Sequence, residues 1–300
     1  MTIAAGFFCV DGIVLAADSQ YSGGVAKTSG QKIFPICQNA RYSVTLAGAG
    51  HVGTTKRTVD HFTILLNEKI GNRDTTIGEI RGVLEDALCA VHEKHVYPAP
   101  ASVQSILDFW LLMAVWTPTQ SGLFRSDVTA VNQIHGADCI GIGSFLGNYL
   151  IDTFCEYSPL MHVEDVKPIA AYIIKSAKDY VDGCGLNTFV HVLTDKGIAE
   201  RVPQDEIKDA EDCYTSLFKS VRQSMWGPLN VKVPAGDLAS ISDSFAAAIN
   251  EFRESQTKRI RVREAREQQR AQIKREWLEK QSQKANPEAS PNPQPPTTDQ

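Results

Sequence analysis

The residue best equipped for chemistry in this 300-residue chain is Thr2, which trimming of Met1 would leave with a hydroxyl and a free α-amine together. An α-amine has a reference pKa of about 7.7–8.0, so near neutral pH it can accept the hydroxyl proton directly or through a water. Nucleophile and base would then share one residue. The seven cysteines (Cys9, Cys37, Cys89, Cys139, Cys155, Cys184 and Cys213) are odd in number and scattered. None forms a CxxC pair, which argues against a disulfide framework or a zinc site. Cys184, between Gly183 and Gly185, is a candidate reactive thiol but is read as reduced and buried, the usual state of a free cysteine.

Positioning Thr2 falls to the strands and helices that the next two hundred residues encode. Two apolar runs flank Asp11-Gly12, a dipeptide suited to a tight hairpin turn, so a hairpin is expected to start at residue 2 with its turn on that pair. Beyond the Ser22-Gly23-Gly24 turn, Lys32–Ile36 and Arg41–Ala47 read as strands, the second ending at Gly48-Ala49-Gly50 before a helical stretch to about Ile70. Thr75-Thr76 followed by Glu79 offers a capping start for a second helix, whose apolar residues recur from Ile80 to Val91. Strand chemistry returns at Phe109–Trp116, Leu123–Phe124, Val128–Val131 and Cys139–Gly143, then helices near Ser144–Tyr157 and Val163–Val181, then a strand at Thr188–Thr194. Hairpin-linked strands alternating with pairs of helices imply an α+β fold with antiparallel sheets rather than a doubly wound one.

The strings TIAAGFFCVDGIVLAADSQYSGG, QKIFPI and TLAGAG, in that order, resemble the first third of proteasome β-type subunits and their bacterial relatives among the N-terminal nucleophile (Ntn) hydrolases. FWLLMAVW, the CIGIG corner and AAYIIKSAKDYVDGCGLNTFVHVLTDKG extend the likeness to about residue 200. The resemblance implies the four-layer αββα sandwich of two antiparallel sheets. It also implies a threonine-type endopeptidase that forms an acyl-enzyme on Thr2, needs no cofactor or metal, and works on peptides or unfolded proteins as a homo-oligomer, a ring or an open assembly. By the same match Asp18 and Lys32 stand beside Thr2, the lysine favouring a deprotonated hydroxyl and the carboxylate holding the lysine charged. Gly48 would present an N–H to the oxyanion, Asp179 would orient the Thr2 amine, and Tyr21, Ser22, Leu46 and Gly50 would wall the specificity pocket. Two positions depart from the pattern: Asp182 stands where a serine is usual, and so does Ile142 within Gly-Ile-Gly. A second carboxylate raises the proton affinity of the amine, and Ser144 is the nearest hydroxyl that could substitute. Two other readings arise from these positions and from the breadth of the fold: a scaffold subunit that has lost turnover, or an Ntn amidohydrolase acting on a small amide.

Composition bounds the rest. A formal charge of −5 with 22% charged residues excludes a general polyanion binder, and no run reaches the roughly 18 apolar residues of a membrane span. With no basic, apolar leader at its start, the chain is expected to be cytoplasmic. It divides on composition into a core at 1–200, a helical extension at 201–250, a charged exposed helix at 251–284 and a Pro-rich tail at 285–300. Residues 251–280 hold ten Lys/Arg and six Asp/Glu, interleaved, with aromatic groups scarce apart from Phe252 and Trp277. That pattern suits a solvated helix or an assembly or partner contact, not a nucleic-acid stripe. The tail's five prolines and near absence of apolar side chains are expected to leave it disordered.

Overall fold

Nearly every residue of β1 (Ile3–Cys9) and all of β2 (Gly12–Asp18) is buried, which requires a strand pair covered on both faces. The computed structural model, which describes residues 2–23, 26–155, 161–229 and 234–285, supplies both covers. Residues Cys9 and Gly12 pair across the hairpin, so its central residues are Val10 and Asp11 and not the expected Asp11-Gly12. Gly12 instead opens β2 at φ +156°, where a Cβ would come within 2.6 Å of the Leu193 carbonyl. Close approach to the neighbouring strand, rather than turn geometry, is what requires glycine there.

Among the described residues β1 and β2 lie within a five-stranded antiparallel sheet of order β10-β1-β2-β11-β12, with β10 at Ala137–Gly141, β11 at Thr188–Thr194 and β12 at Ala199–Arg201. A second five-stranded antiparallel sheet runs β5 (Ile33–Gln38), β6 (Ser43–Gly50), β7 (Phe109–Trp116), β8 (Ser121–Asp127) and β9 (Ala130–Ile134) in sequence order. A short hairpin of β3 (Gln20–Gly23) and β4 (Ala26–Ser29) stands between them in the chain. Ala4, Leu15, Ala17 and Ile140 of the first sheet meet Ala47, Ala49, Leu112 and Leu123 of the second in one apolar cluster. The opposite face of the second sheet, Leu46, Leu111 and Met113 among it, packs on α1 (Val52–Lys69) and α2 (Ile77–Val91). Both helices start where the sequence says they should; Thr76 and Glu79 form a complete capping box. Against the first sheet lie α4 (Ser144–Cys155) and α5 (Val163–Tyr180). The molecule is therefore α+β with antiparallel sheets.

Further features departed from expectation. A π-helical turn (His92–Val96) and a short helix, α3 (Ala101–Leu107), fill the chain before β7, where apolar periodicity is too weak to show them. Val128 lies in the turn between β8 and β9 and not in a strand. Helix α6 runs over Gln204–Leu229, and α7 (Ala235–Ala285) spans the boundary set at residue 250. The chain divides into two units, one ending at Lys219 and the other beginning at Ser220. The first unit passes residue 200 for identifiable reasons. The Tyr172 ring of α5 stacks on Phe218 at 4.9 Å and on Tyr214 at 5.3 Å, with Phe154 of α4 edge-on to all three. Beside them the nearly buried Lys178 and Glu211 pair at 2.8 Å, and both bond the Thr188 hydroxyl of β11. In the second unit α7 is a 51-residue helix. The Pro-rich tail beyond Ala285 lies outside the described residues, as does the side chain of Trp277. Among the described residues no helix is long and apolar enough to cross a membrane.

One consequence concerns acid stability. Burial on β11, and secondarily Arg201 opposite it, pull His191 down to about 4 from an ordinary 6.5. Between those values the unfolded chain binds a proton that the folded chain does not, so stability falls as pH drops from 6.5 towards 4. After allowance for partial solvent screening the loss is about 1–2 kcal/mol. Urea unfolding at a series of pH values checks this, with a His191→Gln variant expected to show the flatter profile.

Candidate active site

Antiparallel pairing of β1 with β2 matches Ala4 to Ala17, which sets the carboxylate at the end of β2 beside the start of β1. Asp18 is fully buried there, with Thr2 at 2% and Lys32 at 1% exposure, so whatever charge the three carry is not shared with solvent. One carboxylate oxygen, Oδ1, accepts from the Thr2 hydroxyl at 2.9 Å, from Lys32 Nζ at 2.7 Å and from the Ile3 N–H at 3.0 Å. The other, Oδ2, accepts from the Gln20 N–H at 3.2 Å and the Gly185 N–H at 3.0 Å. Five donors on one carboxylate offset much of its desolvation. Burial lowers the pKa of the Lys32 ammonium, and Asp18 opposes that shift without cancelling it. A cation held this way is poised to stabilise a neighbouring alkoxide.

The carbonyl side of Thr2 is fixed by the corner Gly141-Ile142-Gly143. Gly143 N–H donates to the Thr2 carbonyl at 3.3 Å. Gly141 sits at φ +91°, where a Cβ would fall 2.4 Å from that same oxygen, so no other residue could close the corner. Ile142 points outward, half exposed, and supplies no hydrogen bond to Thr2. Beneath the corner lies Cys184, buried as expected for a structural thiol; burial first and Asp18 second push it up to about 12, so it is a neutral thiol and a poor nucleophile.

Other expected residues are placed less simply. Gly48 continues the β5–β6 ladder, its N–H donating to the Lys32 carbonyl at 2.9 Å, so the donor expected at the oxyanion already has a partner. A Cβ on Gly48 would stand 2.4 Å from Thr55 Cγ2 of α1, which is a packing reason for glycine independent of any oxyanion. Asp179 is exposed and bonds Lys175 one turn back on α5; Asp182 is exposed beyond the helix end. Neither hydrogen-bonds Thr2. Tyr21 lies over the cluster, its ring centroid 5.2 Å from Lys32 Nζ and its hydroxyl donating to the Gln31 carbonyl. Burial, then Asp18, push that phenol up to about 12. Leu46 is fully buried in the core between the second sheet and its helices, and Gly50 takes φ +100° where a Cβ would strike the Asp108 carbonyl at 2.4 Å. The Ser22 side chain lies outside the described residues.

Three positions escaped the sequence reading. Gln20 and Gly185 reach Asp18 through backbone N–H groups, which side-chain chemistry cannot signal. Gly30 has no space for a side chain because the Tyr21 ring would be 2.0 Å from its Cβ. The one visible hint was a Gly-Cys-Gly run at 183–185. Among the described residues no group of three or more His, Cys, Asp or Glu side chains could hold a metal ion.

Comparison with known proteins places the architecture. No family model matches the chain, and no curated protein sequence does. Solved structures do match: Anbu (ancestral beta-subunit) from Yersinia bercovieri has 15% identity and a TM-score of 0.62, over 73% of this chain and 95% of that one. Anbu from Hyphomicrobium sp. strain MC1 gives 14% identity and 0.60 over 73% and 96%, and its Gly-1 mutant gives 15% and 0.60 over 74% and 96%. At that identity the likeness speaks for the fold alone: about three quarters of this chain shares the fold of the Anbu structures.

Proposed function

We propose that this chain is a threonine-type peptidase subunit with the four-layer αββα architecture of Ntn hydrolases, its nucleophile being Thr2 after removal of Met1. The observation that carries the reading is the single Asp18 oxygen that binds the Thr2 hydroxyl and Lys32 Nζ together inside a buried cluster. A structural threonine at a strand start needs no buried ammonium beside it.

In this reading the α-amine of Thr2 takes the hydroxyl proton while Lys32 stabilises the oxygen left behind, and that oxygen adds to a peptide carbonyl carbon. The tetrahedral oxyanion is met by the Gly48 N–H, which shares its present bond to the Lys32 carbonyl. Collapse breaks the C–N bond, the proton passes from the α-amine to the departing amine, and the ester on Thr2 is cleaved by water. Tyr21, Gly50 and the surface above Leu46 bound the substrate side chain. The substrate is a peptide or an unfolded protein, the assembly a homo-oligomer, the compartment the cytoplasm, and α7 an assembly or partner contact. Asp179 and Asp182 would act on the amine only if assembly or substrate drew them inward, since both are exposed in the isolated chain.

A second reading, a scaffold subunit without turnover, draws support from the paired Gly48 N–H and from the outward-facing Ile142. Two mass measurements separate them. Intact mass of protein from its own host is expected to lack Met1; complete retention would leave no free amine on Thr2 and end the catalytic reading. An electrophile that bridges an α-amine and the adjacent hydroxyl is then expected to add one equivalent of mass to the wild type and none to Thr2→Ala. Equal labelling of both would count against Thr2.

A further inference from the structure

Away from the Thr2 cluster, α2 does not end as an α-helix. Its last turn, His92–Val96, is π-helical, closed by the Tyr97 N–H donating to the His92 carbonyl at 2.9 Å. Such turns insert a residue into a helix and recur at functional sites. Here the turn presents His92 to a cavity of about 400 Å³ whose other walls are α3, the start of β7 and the β8–β9 turn. That volume lies within the range of small-molecule sites.

The chemistry of the lining is one-sided. Three aromatic residues line it from one side of the sheet, His92, Tyr97 and Phe109, together with Gln104, Ser105 and Asp108, and no lysine or arginine does; Trp110 adjoins it at the start of β7 but packs on the opposite face of the sheet. His92 is only 4% exposed, stacks on Phe109 at 5.2 Å and is tilted against Tyr97 at 5.8 Å. Its Nδ1 faces the Leu88 carbonyl at 2.9 Å, and because a carbonyl can only accept, Nδ1 carries the proton. In that tautomer Nε2 is an acceptor, and it has no protein partner among the described residues. Asp108 uses its backbone carbonyl to hold the His51 N–H, while its side chain makes no hydrogen bond or ion pair among the described residues. Val128, at the fourth wall, has φ +54°, a left-handed conformation that is an outlier for a β-branched residue, and it is half exposed there. Outliers of this kind persist where the surroundings over-determine them, and they gather at ligand sites. Helix α3 contributes no buried residue of its own, so its packing does not account for the cavity.

We propose that this cavity binds a small organic cation, a primary ammonium carried on an apolar or aromatic body. The aromatic faces attract the cation, Asp108 neutralises it, and His92 Nε2 accepts one of its N–H groups. An anion would meet the Asp108 carboxylate and no lysine or arginine. A neutral ligand of the same shape would gain the aromatic contact but leave Asp108 unanswered.

Calorimetric titration of the full chain with benzylammonium, benzyl alcohol and benzoate distinguishes these. Benzylammonium is expected to bind with one site per chain, at least about tenfold more tightly than the alcohol, and benzoate not to bind. In Asp108→Asn, an exposed position whose exchange leaves the fold intact, that preference is expected to fall about tenfold. Tyr97→Leu is expected to weaken the ammonium and the alcohol alike. Absence of benzylammonium binding at millimolar concentration, equal affinity for the alcohol, or an unchanged preference in Asp108→Asn would each overturn the assignment.

Discussion

Replacing Asp18 by alanine is expected to cost about 3–5 kcal/mol of folding stability, a large share of what a domain of this kind possesses. The reason is the asymmetry of its environment. Lys32 is 1% exposed and has no other carboxylate within bonding distance among the described residues, so removing Asp18 leaves an ammonium with neither water nor counter-charge. The variant also strips the acceptor from the N–H groups of Ile3, Gln20 and Gly185, which join three separate chain segments at one point. Adding Lys32→Met to Asp18→Ala should recover part of the loss, because the orphaned charge goes, but not all of it, because the backbone donors stay unpaired. Urea unfolding of wild type, both single variants and the double variant measures the coupling. A single Asp18→Ala variant within about 1 kcal/mol of wild type would mean that the cluster is not closed to water as described.

Legibility of the chain followed the range of the forces involved. Helices α1 and α2 were plain because capping and apolar spacing are local, and Thr76 and Glu79 carry their signal within four residues. The strand order inside each sheet was visible only as hairpins, since the pairing of β2 with β11 joins residues far apart in sequence. Placement of α6 on α4 and α5 depends on Tyr172, Tyr214 and Phe218 meeting in space, and a composition boundary at 200 cannot see that. Within the site, Thr2, Asp18 and Lys32 came together, whereas Asp179 and Asp182 did not. The first three are set by strand register in the buried core. The last two stand at and beyond the end of α5, where nothing packs over them and an ion pair with Lys175 suits Asp179 as well as any amine would. Register transmits through sequence more faithfully than the course of an exposed helix end.

Lys32→Met separates the chemistry from the scaffold. Methionine matches the lysine stem in length and is apolar, so the slot stays filled, and Asp18 keeps four donors: the Thr2 hydroxyl and the N–H groups of Ile3, Gln20 and Gly185. The stability cost is therefore expected to be about 1–3 kcal/mol, below that of Asp18→Ala. The rate of labelling of Thr2 by the bridging electrophile is expected to fall by about 10²–10⁴, the range for losing a positioned charge or proton-transfer partner. Arginine should not rescue it, because a guanidinium is broader than an ammonium and the slot is closed. The wild-type rate should trace a bell. It rises as the Thr2 amine loses its proton, near about 7.7–8.0 for an ordinary α-amine. It falls again as Lys32 loses its own, at a pH below the 10.5 of free lysine because burial disfavours the charged form. In Lys32→Met the alkaline limb should disappear from the residual rate, whereas a lysine that served only to fill space would leave both the rate and the limb unchanged.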